Sequence, residues 1–416
     1  MEKISSQDSK HILLISYTFP PYPGIGGRRW AKFSKYLSRL GYTVHVIHAK
    51  NPFKEQSLWV EDIENEKNIK KYELNSLYPK VLLTQPKSIL QKLNYKISLL
   101  IVRLLSKGTL YDKGIFWRQK MLNTSTTLIK KYDITNVIVN CAPFSTAYYA
   151  LSLKKKFKNL NLIVDFRDPW TWGSGYGFST IKGKRKEFEE RMEQQVIKNF
   201  NTVLVPDIEM KIYLSQKYKS LSHKIYLLSH GFDEDEIVRR KKIPNTTIKL
   251  LYYGTLYAGM NSIFSKIATV LSDKNKGISL DIYSNENTYK NLFVEKEYTS
   301  DLVQYYAPLL PKELFYKIKF YDYVLIIQPD YAKDFITTKI YEIIFSETPI
   351  LLISKTGKLS EFIIENKLGL HFTPDNILDH LGMIISYDNN NFRTSTFSVK
   401  SYSFKSLTDD LLKYLK

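Results

Sequence analysis

Three stretches of the chain hold side chains whose type and spacing could do chemistry on an anionic, hydroxyl-rich ligand. The first is Gly24-Ile25-Gly26-Gly27-Arg28-Arg29. Glycine lets a backbone come close to a phosphate or a sugar. A loop that opens a helix also offers unpaired amide N–H groups and the positive end of the helix dipole. Arg29 stands where the third glycine of G-x-G-x-x-G would be, so the loop is not the dinucleotide fingerprint, and a tight turn is the plain alternative. Two cations at a helix start oppose its dipole, and an anionic ligand would give Arg28 and Arg29 a reason to be there.

The second stretch, Asp165-Phe166-Arg167-Asp168-Pro169-Trp170, follows the apolar run at 162–164. It therefore lies at the carboxyl end of a strand, where open α/β sheets bind ligands. Asp165 and Asp168 around Arg167 can orient hydroxyl groups or act as a base, and a salt-bridged turn would use the same residues. The glycine-rich loop at 173–177 suits closure over a substrate, or is a plain surface loop.

The third stretch carries Asp334, Thr337, Thr338, Lys339 and Glu342. On one helix its two acids would share a face two turns apart. The reading adopted puts Asp334 in a loop, Lys339 near a helix start and Glu342 in the helix. There a lysine and backbone amides neutralise a diphosphate and a carboxylate holds hydroxyls. A solvated helix face is the bland alternative. Among lesser features, His230 before Gly231 reads as a turn histidine with a modest ligand-binding role, and Cys141 as a small buried residue. Asp233-Glu234-Asp235 has the form of a metal motif but falls in a linker.

The elements that must position these residues are legible from apolar periodicity. Continuous apolar runs at 12–15, 44–47, 137–139, 162–164 and 202–205 read as strands covered on both faces. Between the first two, Trp30, Phe33, Leu37 and Leu40 recur at helical spacing, and Gly41 sits where a C-terminal cap belongs. The pattern is doubly wound α/β. It stops in a polar stretch at 233–247 and restarts with strands at 248–253, 278–283, 323–327 and 350–353. The prediction is a Rossmann-like domain over 1–232, a linker at 233–247, and a second such domain over 248–400. A C-terminal helix over 401–416, with Leu407, Leu411, Leu412 and Leu415 at helical spacing, is expected to cross back onto the first domain.

The bulk numbers fit. A chain of 416 residues with 44% apolar residues suits two globular domains. One cysteine excludes an internal disulfide framework and fits a reducing compartment, and the polar start shows no signal peptide. A net charge of +20 favours polyanions, although lysine is abundant throughout and part of the surplus is compositional. The segment 80–118 combines many leucines and isoleucines with Lys80, Lys87, Lys92, Lys96, Arg103 and Lys107. That profile suits an anionic membrane surface, or equally a domain helix with a solvated lysine face.

The Phe19-Pro20-Pro21 strand exit with its Gly-Gly-Arg loop, the Asp165–Trp170 segment, the His230-Gly231-Phe232-Asp233 turn, Tyr253-Gly254-Thr255-Leu256 and Lys339-Ile340-Tyr341-Glu342 occur in this order. In that order they resemble bacterial family 4-like glycosyltransferases over nearly the whole chain. The resemblance implies the GT-B fold, two Rossmann-like domains facing across a cleft, with the acceptor on the first domain and the nucleotide-sugar donor on the second. It implies retaining sugar transfer to a glycan or lipid-linked glycan of capsule, O-antigen or exopolysaccharide type, with no metal or other cofactor, in the cytoplasm or on the inner face of its membrane. Carried over by position, Asp165, Arg167 and Asp168 are the catalytic candidates. Gly26, Gly27, Arg28, His230, Gly254, Thr255, Asp334, Thr338, Lys339 and Glu342 are the donor-binding ones. Asp334 and Glu342 match the two acids of the family's E-x7-E pattern, with Asp replacing the first Glu. The family's Arg and Lys after the glycine turn are absent, Thr255 and Met260 standing near their places. Lys339 and Arg28 are the candidates to replace them at the diphosphate. Two alternatives keep the fold: a DNA glycosyltransferase, although nucleic acid is not the expected partner, and a sugar-nucleotide-binding or assembly subunit without activity.

Overall fold

The computed structural model describes residues 10–416 apart from 174–177, 237–246, 257–258, 274–276, 285–290, 292–301, 331–332, 334–335, 338, 385–391 and 393–398. The chain divides into two compact units, Met1–Ser229 with Leu407–Lys416, and His230–Ser406.

The first unit is built on a parallel sheet of seven strands in the order β3-β2-β1-β4-β5-β6-β7. These are β1 (His11–Ser16), β2 (Thr43–Ala49), β3 (Ile69–Leu74), β4 (Asn136–Cys141), β5 (Asn161–Phe166), β6 (Thr202–Val205) and β7 (Ile225–Leu227). Every residue of β4, β5 and β6 is buried, as expected of strands with helices on both faces. Helices α1 (Arg28–Arg39), α2 (Glu61–Glu64), α3 (Ile89–Leu105), α4 (Arg118–Tyr132), α5 (Ser145–Lys156), α6 (Lys184–Asn199) and α7 (Ile208–Lys217) make the connections.

Helix α1 is buried along nearly its whole length despite five basic residues. Each of the inner lysines has a carboxylate: Lys32 Nζ lies 2.7 Å and Lys35 Nζ 3.3 Å from Asp62. The helix ends where Gly41 takes a φ of +86°, with Tyr42 N donating to Leu37 O and Gly41 N to Ser38 O. This paired capping satisfies the last carbonyls and favours glycine at that position.

The second unit is a parallel sheet of six strands in the order β10-β9-β8-β11-β12-β13. They are β8 (Ile248–Tyr253), β9 (Ile278–Tyr283), β10 (Val303–Tyr306), β11 (Tyr323–Ile327), β12 (Ile350–Ile353) and β13 (Gly369–Phe372). Side chains alternate faces along a strand, and here both faces are apolar. Leu250 and Tyr252 pack on one side with Phe264 and Ile267 of α8 (Asn261–Leu271). Leu251 and Tyr253 pack on the other with α9 (Pro311–Ile318), α10 (Lys339–Phe345) and α11 (Lys358–Glu365). A short α12 (Ile377–Leu381) completes the α8 side.

The last helix, α13 (Phe404–Leu412), begins in the second unit, where Phe404 N donates to Phe232 O at 2.9 Å. From Leu407 the chain belongs to the first unit. Asn136 Nδ2 donates to Lys416 O at 2.9 Å, Asn161 Nδ2 to Tyr414 O at 2.8 Å, and Lys416 N to Asn136 Oδ1 at 2.9 Å.

All nine strands read from apolar runs are present. Four further strands, β3, β7, β10 and β13, are the outer strands of the two sheets. An outer strand has one neighbour and less cover, so it needs no apolar run. β3 reads Ile-Lys-Lys-Tyr-Glu-Leu, with one buried residue.

Candidate functional site

The chemistry-bearing stretches of the first unit meet at the carboxyl edge of its sheet. Asp165, on β5, is fully buried. Its Oδ2 accepts from Arg29 Nε at 2.8 Å and from the Trp30 indole at 2.7 Å, and its Oδ1 from Arg29 Nη2 at 3.3 Å. Arg29 also donates to Leu228 O at 2.6 Å and Ser229 O at 2.7 Å, and its guanidinium lies over the Phe33 ring at 5.0 Å. A cation at a helix start, which sequence reasoning assigned to ligand contact, is here held by a buried carboxylate and two carbonyls. Asp165 is thus wholly engaged by the protein. Arg28 is likewise buried.

Arg167 leaves β5 in the direction of the glycine loop. Its Nη1 donates to Gly26 O at 2.6 Å, while Nε and Nη2 each lie 2.9 Å from Asp168 Oδ2. A methyl group at Gly26 would meet Arg167 Nη1 at 2.5 Å, and one at Gly27 would meet Thr18 O at 2.9 Å. The glycines make room for the protein's own guanidinium and loop backbone. Asp168 is 37% exposed, so this pair faces solvent where Asp165 does not.

Two further carboxylates lie behind this edge, and sequence reasoning missed both. Asp112 accepts from Gly114 N, Ser145 N and Ser145 Oγ at 2.8, 2.9 and 2.7 Å, and burial raises its pKa above the usual carboxylate range. Glu189, inside α6, accepts from Thr109 N at 2.7 Å and from the Trp170 indole at 2.9 Å. Burial, with Asp112 nearby, pushes Glu189 up to about 7. One turn further, Glu193 accepts from Thr171 N and Oγ1, Lys217 Nζ and Tyr218 Oη. Neither Asp112 nor Glu189 sits in a motif; Glu189 is one acid in a run of charged residues, and only its inward direction distinguishes it.

In the second unit the site forms where β8 ends. Gly254 has a φ of +107°, a left-handed conformation that glycine takes without strain. Lys339, the first residue of α10, reaches this turn: its Nζ donates to Tyr253 O at 2.6 Å and lies 4.8 Å from the Tyr253 ring centre and 5.7 Å from that of Tyr252. A methyl at Gly254 would meet that Nζ at 2.5 Å. Burial lowers the Lys339 pKa to about 8, against an opposing pull from Glu342. Thr255 is exposed, and its carbonyl accepts from Tyr252 Oη at 2.6 Å. Glu342 is half-buried one turn along α10, and His230 is half-buried at the start of the unit. Asp334, Thr338 and most of the loop at 173–177 lie outside the described residues.

No family model matches the sequence, and none of the curated proteins does. Solved structures do match in fold. Sucrose-phosphate synthase from Thermosynechococcus elongatus has a TM-score of 0.63 at 14% identity, over 97% of this chain and 98% of that one. The lipopolysaccharide outer core galactosyltransferase WaaB has 0.57 at 13%, over 97% and 99%. UDP-GlcNAc 2-epimerase from Neisseria meningitidis, solved with UDP-GlcNAc bound, has 0.54 at 11%, over 98% and 99%. At such identities the likeness is one of architecture: two parallel-sheet α/β units, the GT-B fold.

Proposed function

We propose that the protein is a glycosyltransferase that moves a sugar from a nucleotide-sugar donor to a glycan or lipid-linked glycan of bacterial surface polysaccharide, with retention of configuration and without a resident metal. The observation that carries this reading is Lys339 at the Gly254 turn. The sequence lacks the cations that follow this turn in the family it resembles, and an ammonium from the next motif reaches the same backbone. A lysine there offsets the charge that develops on a departing diphosphate, an electrostatic role suited to a partly buried site. Glu342 takes the ribose and Asp334 the transferred sugar.

On the first unit, Asp168 and Arg167 are the pair left facing solvent, and we assign them to the acceptor hydroxyl. Asp165 is a positioning residue that fixes Arg29 at the start of α1, while Arg167 holds the Gly26 carbonyl of the glycine loop.

A lipid-linked acceptor is favoured by α3. It is held at its C-terminal end, where Arg185 donates to Arg103 O, Ser106 O and Gly108 O. Only Ser98 and Val102 of the helix are buried. Ile89, Leu93, Ile97, Leu100 and Leu104 form one exposed stripe, with Ile89 at 85% and Leu104 at 77%. Lys92, Lys96 and Arg103 lie beside that stripe, as on a helix resting in an anionic membrane interface. No helix among the described residues is long and apolar enough to cross a membrane.

The test is a thermal-shift screen of the full chain against nucleotide sugars, repeated with Lys339→Met. A ligand of the native state raises the melting temperature. The expected result is a stabilising donor whose effect is lost in the folded variant. A panel with no stabilising member, or an undiminished shift in Lys339→Met, would overturn the assignment.

A further inference from the structure

Along the flank of the first unit, two adjoining cavities of about 370 and 510 Å³ share Arg118, Tyr148 and Tyr149. The smaller begins at Leu105, Lys107 and Ser145, where α3 ends and α5 begins. The larger continues past Ser152 and Lys155 of α5 to Gln195 and Asn199 of α6. Tyr148, Ser152 and Lys155 recur at helical spacing, so the lining follows one face of α5. Together the cavities make a groove beside that helix.

The lining is not that of an apolar cavity. Tyr148 and Tyr149 are half-buried, and the Arg118 guanidinium lies 4.9 Å from the Tyr149 ring centre. Gln195 and Asn199 bring side-chain amides, and Lys107, Arg118 and Lys155 bring exposed cations. The floor carboxylates, Asp112 and Glu189, already accept hydrogen bonds from Ser145, Gly114, Thr109 and Trp170. Tyrosine faces offer flat apolar area with a polar tip, amides pair with hydroxyls, and Arg and Lys pair with carboxylate or phosphate.

We propose that this groove binds an anionic oligosaccharide, the part of an acceptor glycan already built. A polyphosphate or a nucleic acid would account for the cations alone; the interleaved tyrosines and amides favour a sugar chain. The identity of the ligand as an acceptor rests on the transferase reading, whereas its binding does not.

The experiment is to probe the full-length chain on an array of acidic and neutral bacterial-type oligosaccharides, with inorganic polyphosphate and duplex DNA as competitors. Acidic oligosaccharides should bind, and binding should weaken about tenfold or more, a loss of roughly 1.4 kcal/mol, in Tyr149→Ala and in Lys155→Glu. Lys155 is exposed, so the second variant keeps its fold. No binding to any acidic member, equal binding in both variants, or complete displacement by polyphosphate or DNA at equal charge would each overturn the proposal. The nucleotide-sugar thermal shift is run on the same variants. Groove binding without any donor shift removes the transferase reading alone, and a donor shift without groove binding removes this proposal alone.

Discussion

Arg29 donates to both oxygens of Asp165 and to two main-chain carbonyls, so replacing it strands several buried acceptors at once. Arg29→Met should cost about 3–5 kcal/mol, since breaking a buried pair leaves an uncompensated charge. The double variant Arg29→Met/Asp165→Leu should recover part of that loss; strictly additive costs in urea unfolding would show that the two residues are uncoupled. Recovery stays partial because the Trp30 indole loses its acceptor. Lys339 makes a prediction of opposite kind. Its pKa lies near 8 because burial disfavours the ammonium. On the proposed reading diphosphate binding needs the charged form, so affinity for the nucleoside diphosphate of the stabilising donor should fall as pH rises through 8, by up to about tenfold per pH unit. Calorimetry at pH 7 and 9 checks this, and Lys339→Met should bind weakly at both. An equal pH dependence in the variant would place the titration elsewhere. At this scale the motifs were visible in the sequence, but the partner of each side chain was not, because Arg29 and Asp165 are far apart in the chain.

At the scale of elements, apolar runs marked the inner strands and left the outer ones unmarked. β10 and β13, like β3, have polar or half-exposed positions because a strand with one neighbour is covered less. The same accounting isolates α3, whose stripe of isoleucine and leucine stays largely exposed among the described residues. The full chain should sediment with phosphatidylglycerol vesicles, less so in high salt, where screening weakens the lysine contribution. Ile97→Asp/Leu104→Asp should abolish sedimentation and leave thermal stability within about 0.5 kcal/mol, as expected of exposed positions. Retained sedimentation would remove the membrane assignment. Charge reversal at Lys92, Lys96 and Arg103 should weaken binding in the same assay.

For the molecule as a whole, the C-terminal residues Leu407–Lys416 belong to the first unit, more than 170 residues after it otherwise ends. They return hydrogen bonds to Asn136 and Asn161, at the starts of β4 and β5, and bury Leu407 and Leu411. Deleting 407–416 removes these contacts. The expected cost is about 3–5 kcal/mol, on the scale of truncating a buried leucine, with hydrogen-exchange protection lost first at β4 and β5. Unchanged protection there would show that the tail adds nothing to the first unit. The polar stretch at 233–247, of which 237–246 lie outside the described residues, and the leucines of the last helix led to the expectation of two domains and a returning helix. The contacts that anchor the tail were not legible, since two asparagines at strand starts carry no pattern of their own.

By itself the sequence determined the class of fold, the inner strands of both sheets and the positions of the motifs, because these depend on local periodicity and on residues that glycine or helix-start geometry requires. Only the tertiary structure decided which charges face the protein and which face solvent. Asp165 and Asp168, three positions apart, were alike in the sequence. Burial and the reach of Arg29 across the sheet separate them, since a charge taken out of water must find its partner wherever the fold brings one.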